Sequence, residues 1–499
     1  MALCDVSRLD RFGVHEAKSF RQRLLAVGVT ARSLHAITQV GENLADVLRG
    51  PIRRWHLRRV AAPLGPILRC FFFGDGVPES ELRGALDSAP LFDVLVDAGV
   101  LIEAGEHWVS PFRLNLVNDL FIFTDDLTQG QEAVMGAGAT TAGLIQAAWP
   151  NKRVASVLDV GCGAGTAALL MSSVAERAVG VDISQRALAV SALNARMAGL
   201  LGVEFVRSDL FSAVSHRQFD VIVSQPPFVS CPAGTANVTF LHGGARGDEL
   251  ALRLLAEVPP RLAPGGRGVF LVDWPTYDDV APTDRIRTAI GEAALDVLVL
   301  LATPKNLDEH VTYYGSMMAP RLGPEFEDYV LVHREHLEQM GIRELRMALI
   351  VLRRTEGKPW TRLVPVRSMA QIEPTSAQID RILAVQDLLE AGEQALLQSS
   401  LAVPPGTRFV ERDQNSLRVE LPDSRLVAPV VTSRAGADLL MEVDRAKSVA
   451  DAVQSMFQRL PQLHAKGAAP VLAGIRGALQ SGLLELKEPS ASANADTTF

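Results

Sequence analysis

Between residue 156 and about residue 354, short apolar runs alternate with amphipathic stretches. Runs such as Val157-Leu158-Asp159-Val160 predict buried strands at 156–160, 178–182, 203–207, 219–224, 267–272, 295–301 and 346–353. Apolar positions at helical spacing predict helices between them, at 186–199, 249–262, 284–293 and 334–340. Strand and helix in alternation predict an α/β fold: a doubly wound, mainly parallel sheet with helices on both faces. Ligands of such sheets lie outside the carboxyl ends of the strands. The residues that follow each strand are therefore the ones to inspect.

The pattern changes on either side. Ahead of the alternating region, helical patterns occupy 17–27 and 44–49, Gly50-Pro51 breaks the second, and a basic stretch runs from Ile52 to Arg59. A helical stretch over 91–99 stops at Gly99, and the period then changes to two, with a second strand at 107–110. Helix, helix, glycine stop and hairpin is a winged-helix order. A DNA-reading role fits poorly, because the second helix carries Asp93 and Asp97 and no cluster of Arg or Lys. Residues 112–124 alternate as a strand pair. Behind the alternating region, 355–374 holds Gly357, Pro359 and Pro365 and reads as a linker. A helix at 378–397, short strands over 408–432 and helices at 435–443, 449–460 and 471–480 follow. The run from Ala478 through Gly482 to Leu484 echoes the run from Leu95 through Gly99 to Leu101, each a helix stopped by glycine before an apolar strand. This predicts a second winged-helix-like module. The expected parts are 1–130, 131–356, 375–488 and a disordered tail at 489–499.

Composition narrows the class. The chain has 499 residues, too many for one compact domain, and 48% are hydrophobic, enough for a sizeable core. A formal net charge of −8 argues against broad nucleic-acid binding by charge alone and leaves room for a local basic face. Cys4, Cys70, Cys162 and Cys231 are scattered, with no C-x-x-C pair, so reduced thiols and no metal site are expected. The first residues lack the apolar core of a signal peptide, and no apolar run approaches the roughly 18 residues of a membrane span. A soluble cytoplasmic protein with no membrane partner is expected.

The chemistry concentrates between 157 and 250. After the first strand comes Gly161-Cys162-Gly163-Ala164-Gly165, then a helix from Thr166, then a strand ending in Asp182. Glycines let the backbone turn with positive φ and let a ligand lie against it. The helix start points N–H groups at that ligand, and Asp182 stands where a carboxylate can take both ribose hydroxyls. This is a nucleoside site. The spacing G-x-G-x-G after Asp159 differs from the dinucleotide fingerprint G-x-G-x-x-G. The third strand ends in Arg207-Ser208-Asp209-Leu210-Phe211, with an acid to accept an amino group and an apolar residue to cover a ring. The fourth ends in Ser224-Gln225-Pro226-Pro227-Phe228. Two prolines leave no N–H to continue a ladder, so the backbone turns away and aims its carbonyls into the site. Downstream lies His242-Gly243-Gly244-Ala245-Arg246-Gly247. Upstream, Thr140 and Thr141 open a helix over 142–148, either covering the ligand or supplying the N-cap.

Together these motifs resemble the class I S-adenosylmethionine (SAM)-dependent methyltransferases of the methyltransferase small-domain type. These are the N-P-P-[FY] group, which includes release-factor glutamine, N6-adenine and rRNA base methyltransferases. The resemblance covers roughly 135–354. It implies a seven-stranded class I sheet and SAM as cofactor. Asp159, Gly161, Cys162, Gly163 and Gly165 would stand at its methionine end, Asp182 and Ile183 at the ribose, and Ser208, Asp209 and Leu210 at the adenine, with Thr140, Thr141 and Gln225 alongside. It further implies that Gln225, Pro226 and Phe228 hold the acceptor nitrogen for an in-line displacement, where positioning supplies much of the rate. Gln225 departs from the family's Asn by one methylene, which puts the family's usual substrates in doubt. Phe228, His242, Trp274, His310, Tyr313 and Tyr314 are the substrate-side candidates. The expected activity is methylation of a nitrogen on a small molecule or short peptide, as in specialised metabolism. The alternatives are modification of a protein glutamine or an rRNA base, and, from another class, a SAM- or DNA-binding regulator without catalysis. The oligomeric state is left open.

Overall fold

The computed structural model describes residues 3–38, 50–126, 130–235, 238–278, 280–319, 322–366, 375–421, 430–460 and 467–487. The helix expected at 44–49, the end of the linker, the turn at 422–424 and the tail lie outside these residues. The chain divides into two compact units, Met1–Val364 and Pro365–Phe499.

The first unit is built on one sheet of eight strands. In chain order these are β1 (Val154–Val160), β2 (Ala175–Asp182), β3 (Glu204–Arg207), β4 (Phe219–Ser224), β5 (Leu262–Thr276), β6 (Leu295–Leu301), β7 (Glu344–Arg354) and β8 (Thr361–Pro365). The spatial order is β8-β6-β7-β5-β4-β1-β2-β3. β1 runs parallel to β2 and β4, β3 to β2, and β5 to β4. β7 alone of the first seven is reversed, antiparallel to both β5 and β6. A parallel sheet with the last strand slipped in backwards beside the fifth is the class I methyltransferase arrangement. β8 is an addition that the glycine and prolines of 355–365 concealed: five residues of the expected linker form an edge strand.

The helices that cover the sheet are α1 (Ala139–Ala148), α2 (Thr166–Met171), α3 (Gln185–Ala198), α4 (Glu249–Glu257), α5 (Pro282–Ile290), α6 (Leu307–Met318) and α7 (Pro324–Gln339). With both faces covered, the central strands read as near-continuous apolar runs, and every residue of β6 is buried. α4 stops short of its expected end because Pro259 and Pro260 cannot continue it. α6 was not foreseen, and α7 begins ten residues before its expected start, with Pro324 at its first position.

The chain crosses over at the switch between β1 and β4: β2 and β3 lie to one side, and β4 to β7 to the other. In doubly wound sheets the ligand crevice lies at the carboxyl ends of the two strands on either side of such a switch.

Residues 3–38 and 50–126 share a core with this domain. The hairpin Phe112–Val117/Leu120–Asp125 turns tightly through Asn118 and Asp119, both with positive φ. Its Phe121, Ile122 and Phe123 pack with Phe12, Phe20 and Phe71 and with Val190, Leu193 and Met197 of α3 in one apolar cluster. The expected boundary at 130 therefore does not separate two cores. Over 77–109 the order is strand, helix, helix, hairpin, with the Val77–Pro78 strand beside His107–Val109. Gly50 and Pro51 belong to the helix Gly50–Leu57, and the expected break from a helix at 44–49 falls outside the described residues.

In the second unit, the expected helix at 378–397 is two, Ser376–Glu390 and Glu393–Gln398, parted by Gly392 at φ 95°. Strands Arg408–Glu411, Ser416–Glu420 and Val430–Ser433 form an antiparallel sheet, and the helices Arg434–Arg445, Val449–Arg459 and Ala469–Gln480 follow among the described residues. The echo between the two glycine stops is structural. Gly99 and Gly482 have φ 74° and 71°. The N–H groups of Val100 and Leu101 both donate to the Leu95 carbonyl (2.9 and 3.0 Å), and those of Leu483 and Leu484 to the Ala478 carbonyl (2.8 and 3.3 Å).

The hairpin is bolted to α3 by a buried ion pair. Arg186 donates from Nε and Nη2 to the two Asp125 oxygens at 2.7 and 2.6 Å, and from Nη1 to the Cys4 carbonyl at 2.5 Å. Asp125 is fully buried and Arg186 nearly so. We expect Arg186→Ala to destabilise the first unit by about 3–5 kcal/mol, because it strands the Asp125 carboxylate. Removing both charges with Arg186→Met and Asp125→Leu should recover most of that loss. Urea unfolding of the three proteins checks both outcomes.

Candidate active site

The turn after β1 reverses the chain within five residues. Gly161, Gly163 and Gly165 take φ of 71°, 53° and 80°, the left-handed region in which glycine is at ease. The N–H groups of Gly161 and Cys162 both donate to the Val181 carbonyl on β2 (2.8 and 3.0 Å), which binds the turn to the neighbouring strand. Gly165 is also required by space: a Cβ there would lie 2.9 Å from the Phe205 ring and 3.1 Å from the Ser191 Cβ. At Gly161 a Cβ would meet nothing within 4 Å, so the outer face of the turn is open.

Two acids flank the turn. Asp159 is buried, and its Oδ2 accepts the Ala168 N–H of α2 at 3.1 Å. Burial, with the negative charge of Asp182 added, pushes its carboxyl up to about 7. Asp182 at the end of β2 accepts the Gly163 N–H on one oxygen and the Ser184 N–H on the other, both at 2.9 Å. Burial raises its pKa as well. One lone pair on each oxygen remains for a further donor. Ile183, beside it, leaves 52% of its apolar surface uncovered. Open space above a glycine turn, spare carboxylate lone pairs and an uncovered apolar side chain together fit a nucleoside.

Not every expected contact is free for such a ligand. Cys162 is buried with its thiol 3.8 Å from Ser191 Oγ, and burial holds its pKa well above the usual thiol value. Ser208 is structural: its hydroxyl donates to the Leu210 carbonyl at 2.8 Å and accepts the Ala213 N–H at 3.1 Å, which holds Leu210 at φ 45°. Asp209 gives its carboxylate to Arg253 at 2.7 Å.

Gln225 follows β4, across the crevice from the glycine turn. Its Nε2 donates to Thr140 Oγ1 at 3.0 Å, and its Oε1 accepts from Thr141 Oγ1 at 3.3 Å. The N-cap of α1 is Gly138, so the two threonines lie inside the helix and do not cap it. They hold the carboxamide. This explains the longer side chain, since the added methylene carries the amide across to α1. One amide hydrogen and one lone pair stay free. The backbone behind the prolines is wedged by glycine. A Cβ on Gly243 would lie 2.4 Å from the Pro227 carbonyl, and one on Gly247, at φ 92°, would lie 2.5 Å from the Phe228 carbonyl.

Beyond Phe228, Val229 pairs with His242. His242 is buried, its Nδ1 accepts the Val238 N–H at 2.9 Å, and burial, with His333 near, lowers its pKa to about 4. His310 and Tyr314 sit together on α6, rings 4.7 Å apart and both buried, while Tyr313 is 58% exposed. Trp274 is a correction: its ring is buried in the apolar cluster on one face of β5, with the Arg285 guanidinium 5.1 Å from it. Its neighbour Asp273 points the other way, as strand alternation requires. It receives Lys305 Nζ on both oxygens at 2.7 Å and has His310 Nδ1 at 3.8 Å.

Sequence reasoning missed Asp273, Lys305, Tyr329, His333 and the polar residues of α3. Ser191 donates to the Gly163 carbonyl at 2.8 Å. Asn194 bridges the Ala164 and Phe123 carbonyls, each at 2.9 Å, and accepts the Phe123 N–H at 2.7 Å. The polar residues at 186, 191 and 194, on an otherwise apolar helix face, were the available signal. Among the described residues no group of His, Cys, Asp and Glu could hold a metal ion, and no helix is long and apolar enough to cross a membrane.

This sheet and this turn define a class I methyltransferase domain. Residues 139–272 match the family described as the methyltransferase small domain. Among curated proteins, the chain is similar to a release factor glutamine methyltransferase of Koribacter versatilis, 37% identical over 25% of this chain and 48% of that protein. It is also similar to a ribosomal protein uL3 glutamine methyltransferase of Xanthomonas campestris pv. campestris (32% identical, 23% of this chain and 41% of that protein). A third relative is a ribosomal RNA small subunit methyltransferase C of Alcanivorax borkumensis (34% identical, 22% of this chain and 30% of that protein). The chain thus spans about half or less of the curated relatives it matches. The family match ends short of both flanking regions, so their winged-helix reading rests on element order alone.

Asp159 yields a test. A carboxyl raised from 3.8 to about 7 keeps a proton in the folded protein that the unfolded chain has already lost. Stability is then lost as pH rises through that window, on the order of 1.4 kcal/mol per pH unit. We expect Asp159→Asn, which mimics the protonated form, to flatten this slope and to gain relative to the parent at pH 8. Urea unfolding at pH 5 and pH 8 measures both.

Proposed function

We propose that the protein transfers a methyl group from SAM to a nitrogen of a macromolecule, a protein glutamine side chain first. The observation that carries this reading is the Gln225 carboxamide, fixed by Thr140 and Thr141 at the carboxyl end of β4 with one hydrogen and one lone pair free. When bound, SAM supplies an electrophilic methyl on a sulfonium. Asp182 would hold its ribose and Ile183 would cover its base, while Asp159 and the glycine turn would face its methionine end. Gln225 and the Pro226 carbonyl would orient the acceptor nitrogen, and Phe228 would lie against its planar group. A methyl acceptor held in line needs little more than this positioning.

The names of the relatives support a macromolecular acceptor over the small-molecule reading that the sequence suggested. A second reading, an RNA base, is favoured by one observation. The helix Gly50–Leu57 and the residues after it present Arg54, Arg58 and Arg59 around Trp55, which is 49% exposed with the Arg59 guanidinium 3.5 Å above its ring. An exposed ring beside cations is a stacking platform.

The test incubates the protein with isotope-labelled SAM and, separately, release factors, ribosomal proteins and ribosomal RNA, and locates the label by mass spectrometry. Label on glutamine is expected, and label confined to small metabolites would overturn the reading. Gln225→Ala should lower kcat about ten- to a hundredfold while calorimetry finds SAM affinity nearly unchanged. Thr140→Val combined with Thr141→Val frees the carboxamide without removing it. We expect kcat to fall about tenfold, by analogy with other small losses of alignment at a reacting centre.

A further inference from the structure

Three ring nitrogens and one hydroxyl beyond Phe228 are buried without a hydrogen-bond partner: His242 Nε2, His310 Nδ1, His333 Nε2 and the Tyr329 hydroxyl. The three imidazoles are only 8%, 6% and 4% exposed. They come from three places in the chain: the short strand after the motif, α6 and α7. His310, Tyr314, Tyr329 and His333 line one narrow space with Val229 and Ser230, the residues that follow Phe228. His242 faces His333 with ring centroids 6.3 Å apart and planes 23° from parallel. That space is too tight for a water molecule as it stands, so solvent does not satisfy the atoms that line it, and each of the four buried atoms, His242 Nε2 included, bears the cost of an unmade hydrogen bond.

The role of two of these atoms follows from their rings' other nitrogens. His242 Nδ1 accepts the Val238 N–H, so the neutral ring carries its proton on Nε2, which is a donor. His333 Nδ1 lies 2.8 Å from the Tyr329 carbonyl, which can only accept. That proton is therefore on Nδ1, and His333 Nε2 is an acceptor. Burial holds both imidazoles below the usual histidine range, His242 at about 4, so the pattern persists at neutral pH.

We propose that His242 and His333 form a substrate subsite in which His242 Nε2–H donates to, and His333 Nε2 accepts from, a carboxamide of the substrate. The inference rests on the function proposed above and adds the specificity-determining residues. A carboxamide offers an acceptor and a donor on one edge. A carboxylate would face the His333 lone pair with negative charge, and an ammonium would face the His242 N–H. A nucleobase edge carries the same donor–acceptor pair, but a whole ring asks for far more opening of a space now closed. Entry requires the Tyr329 side chain, one turn earlier on α7, to rotate off the His333 ring on which it stacks at 3.7 Å.

The test uses the full chain, with NMR of the imidazole nitrogens and four probes: propionamide, propionate, propylammonium and adenine. Propionamide should shift the His242 and His333 signals saturably, with propionate and propylammonium at least about tenfold weaker. His242→Phe and His333→Phe keep an aromatic ring in place, and each should weaken propionamide about tenfold. The wild-type titration stands on its own should either variant fail to fold. Equal shifts from propionate, stronger shifts from adenine, or silent rings with every probe would each overturn the proposal. Methyl transfer to a glutamine peptide is measured in the same preparation. Transfer with silent rings removes the subsite alone, whereas responsive rings without transfer remove the functional reading and leave the carboxamide site standing.

Discussion

The site depends on backbones coming closer than any side chain would allow. At Gly243 an added Cβ would fall 2.1 Å from the Gly247 carbonyl and 2.4 Å from that of Pro227. That approach braces the two prolines from behind, so the chain after β4 has a fixed exit although it has left the ladder and lacks N–H groups with which to rejoin it. Gly165 plays the matching part after β1, where the Phe205 ring and Ser191 fill the room a Cβ would need. The carboxyl ends of the two strands at the sheet's switch point are thereby held apart at one distance. Every side chain in the crevice is positioned relative to that gap.

The second support is a helix that carries polar groups inward. α3 buries Arg186, Ser191 and Asn194. A buried polar group is tolerable only when satisfied, and each of these is satisfied by something that belongs to the site or to the amino-terminal segment. Ser191 and Asn194 hold the glycine turn through the Gly163 and Ala164 carbonyls, and Asn194 and Arg186 hold the hairpin through Phe123 and Asp125. The amino-terminal segment is therefore mechanically continuous with the turn, and a strain on the hairpin reaches the crevice through a single helix.

These two supports differ in how legible they were. The strands were readable because burial on both faces leaves a bare apolar run, and 219–224 and 295–301 were placed with the boundaries the structure shows. The glycine turn and the Gln225 motif were readable because their chemistry is local in sequence. α6 was not, because a helix that turns His310 and Tyr314 inward over a polar pocket breaks the apolar spacing that would announce it. β8 was hidden by the glycine and prolines around it, since an edge strand needs only one partner and tolerates such residues. Trp274 misled for a simpler reason: strand alternation sends residue 274 to the core and residue 273 to the crevice, and the aromatic drew attention from the acid. Long-range pairs such as Asp125 with Arg186 had no local signature, only the oddity of an arginine on a buried face.

Gln225 joins both kinds of reading. As a sequence feature it was a departure from the family pattern, with a reach too long for the usual geometry. In the structure the extra methylene spans to Thr140 and Thr141, which take one hydrogen and one lone pair of the amide and fix its plane. A shorter side chain pointing freely into the crevice would have both hydrogens to offer but no fixed plane. A tethered glutamine offers one hydrogen and one lone pair along a set direction, so it selects for an acceptor that can answer with one of each. Under the proposal above, the neutral imidazoles of His242 and His333 would pose the same demand, one donor and one acceptor along a single edge, so both places would select the same kind of group.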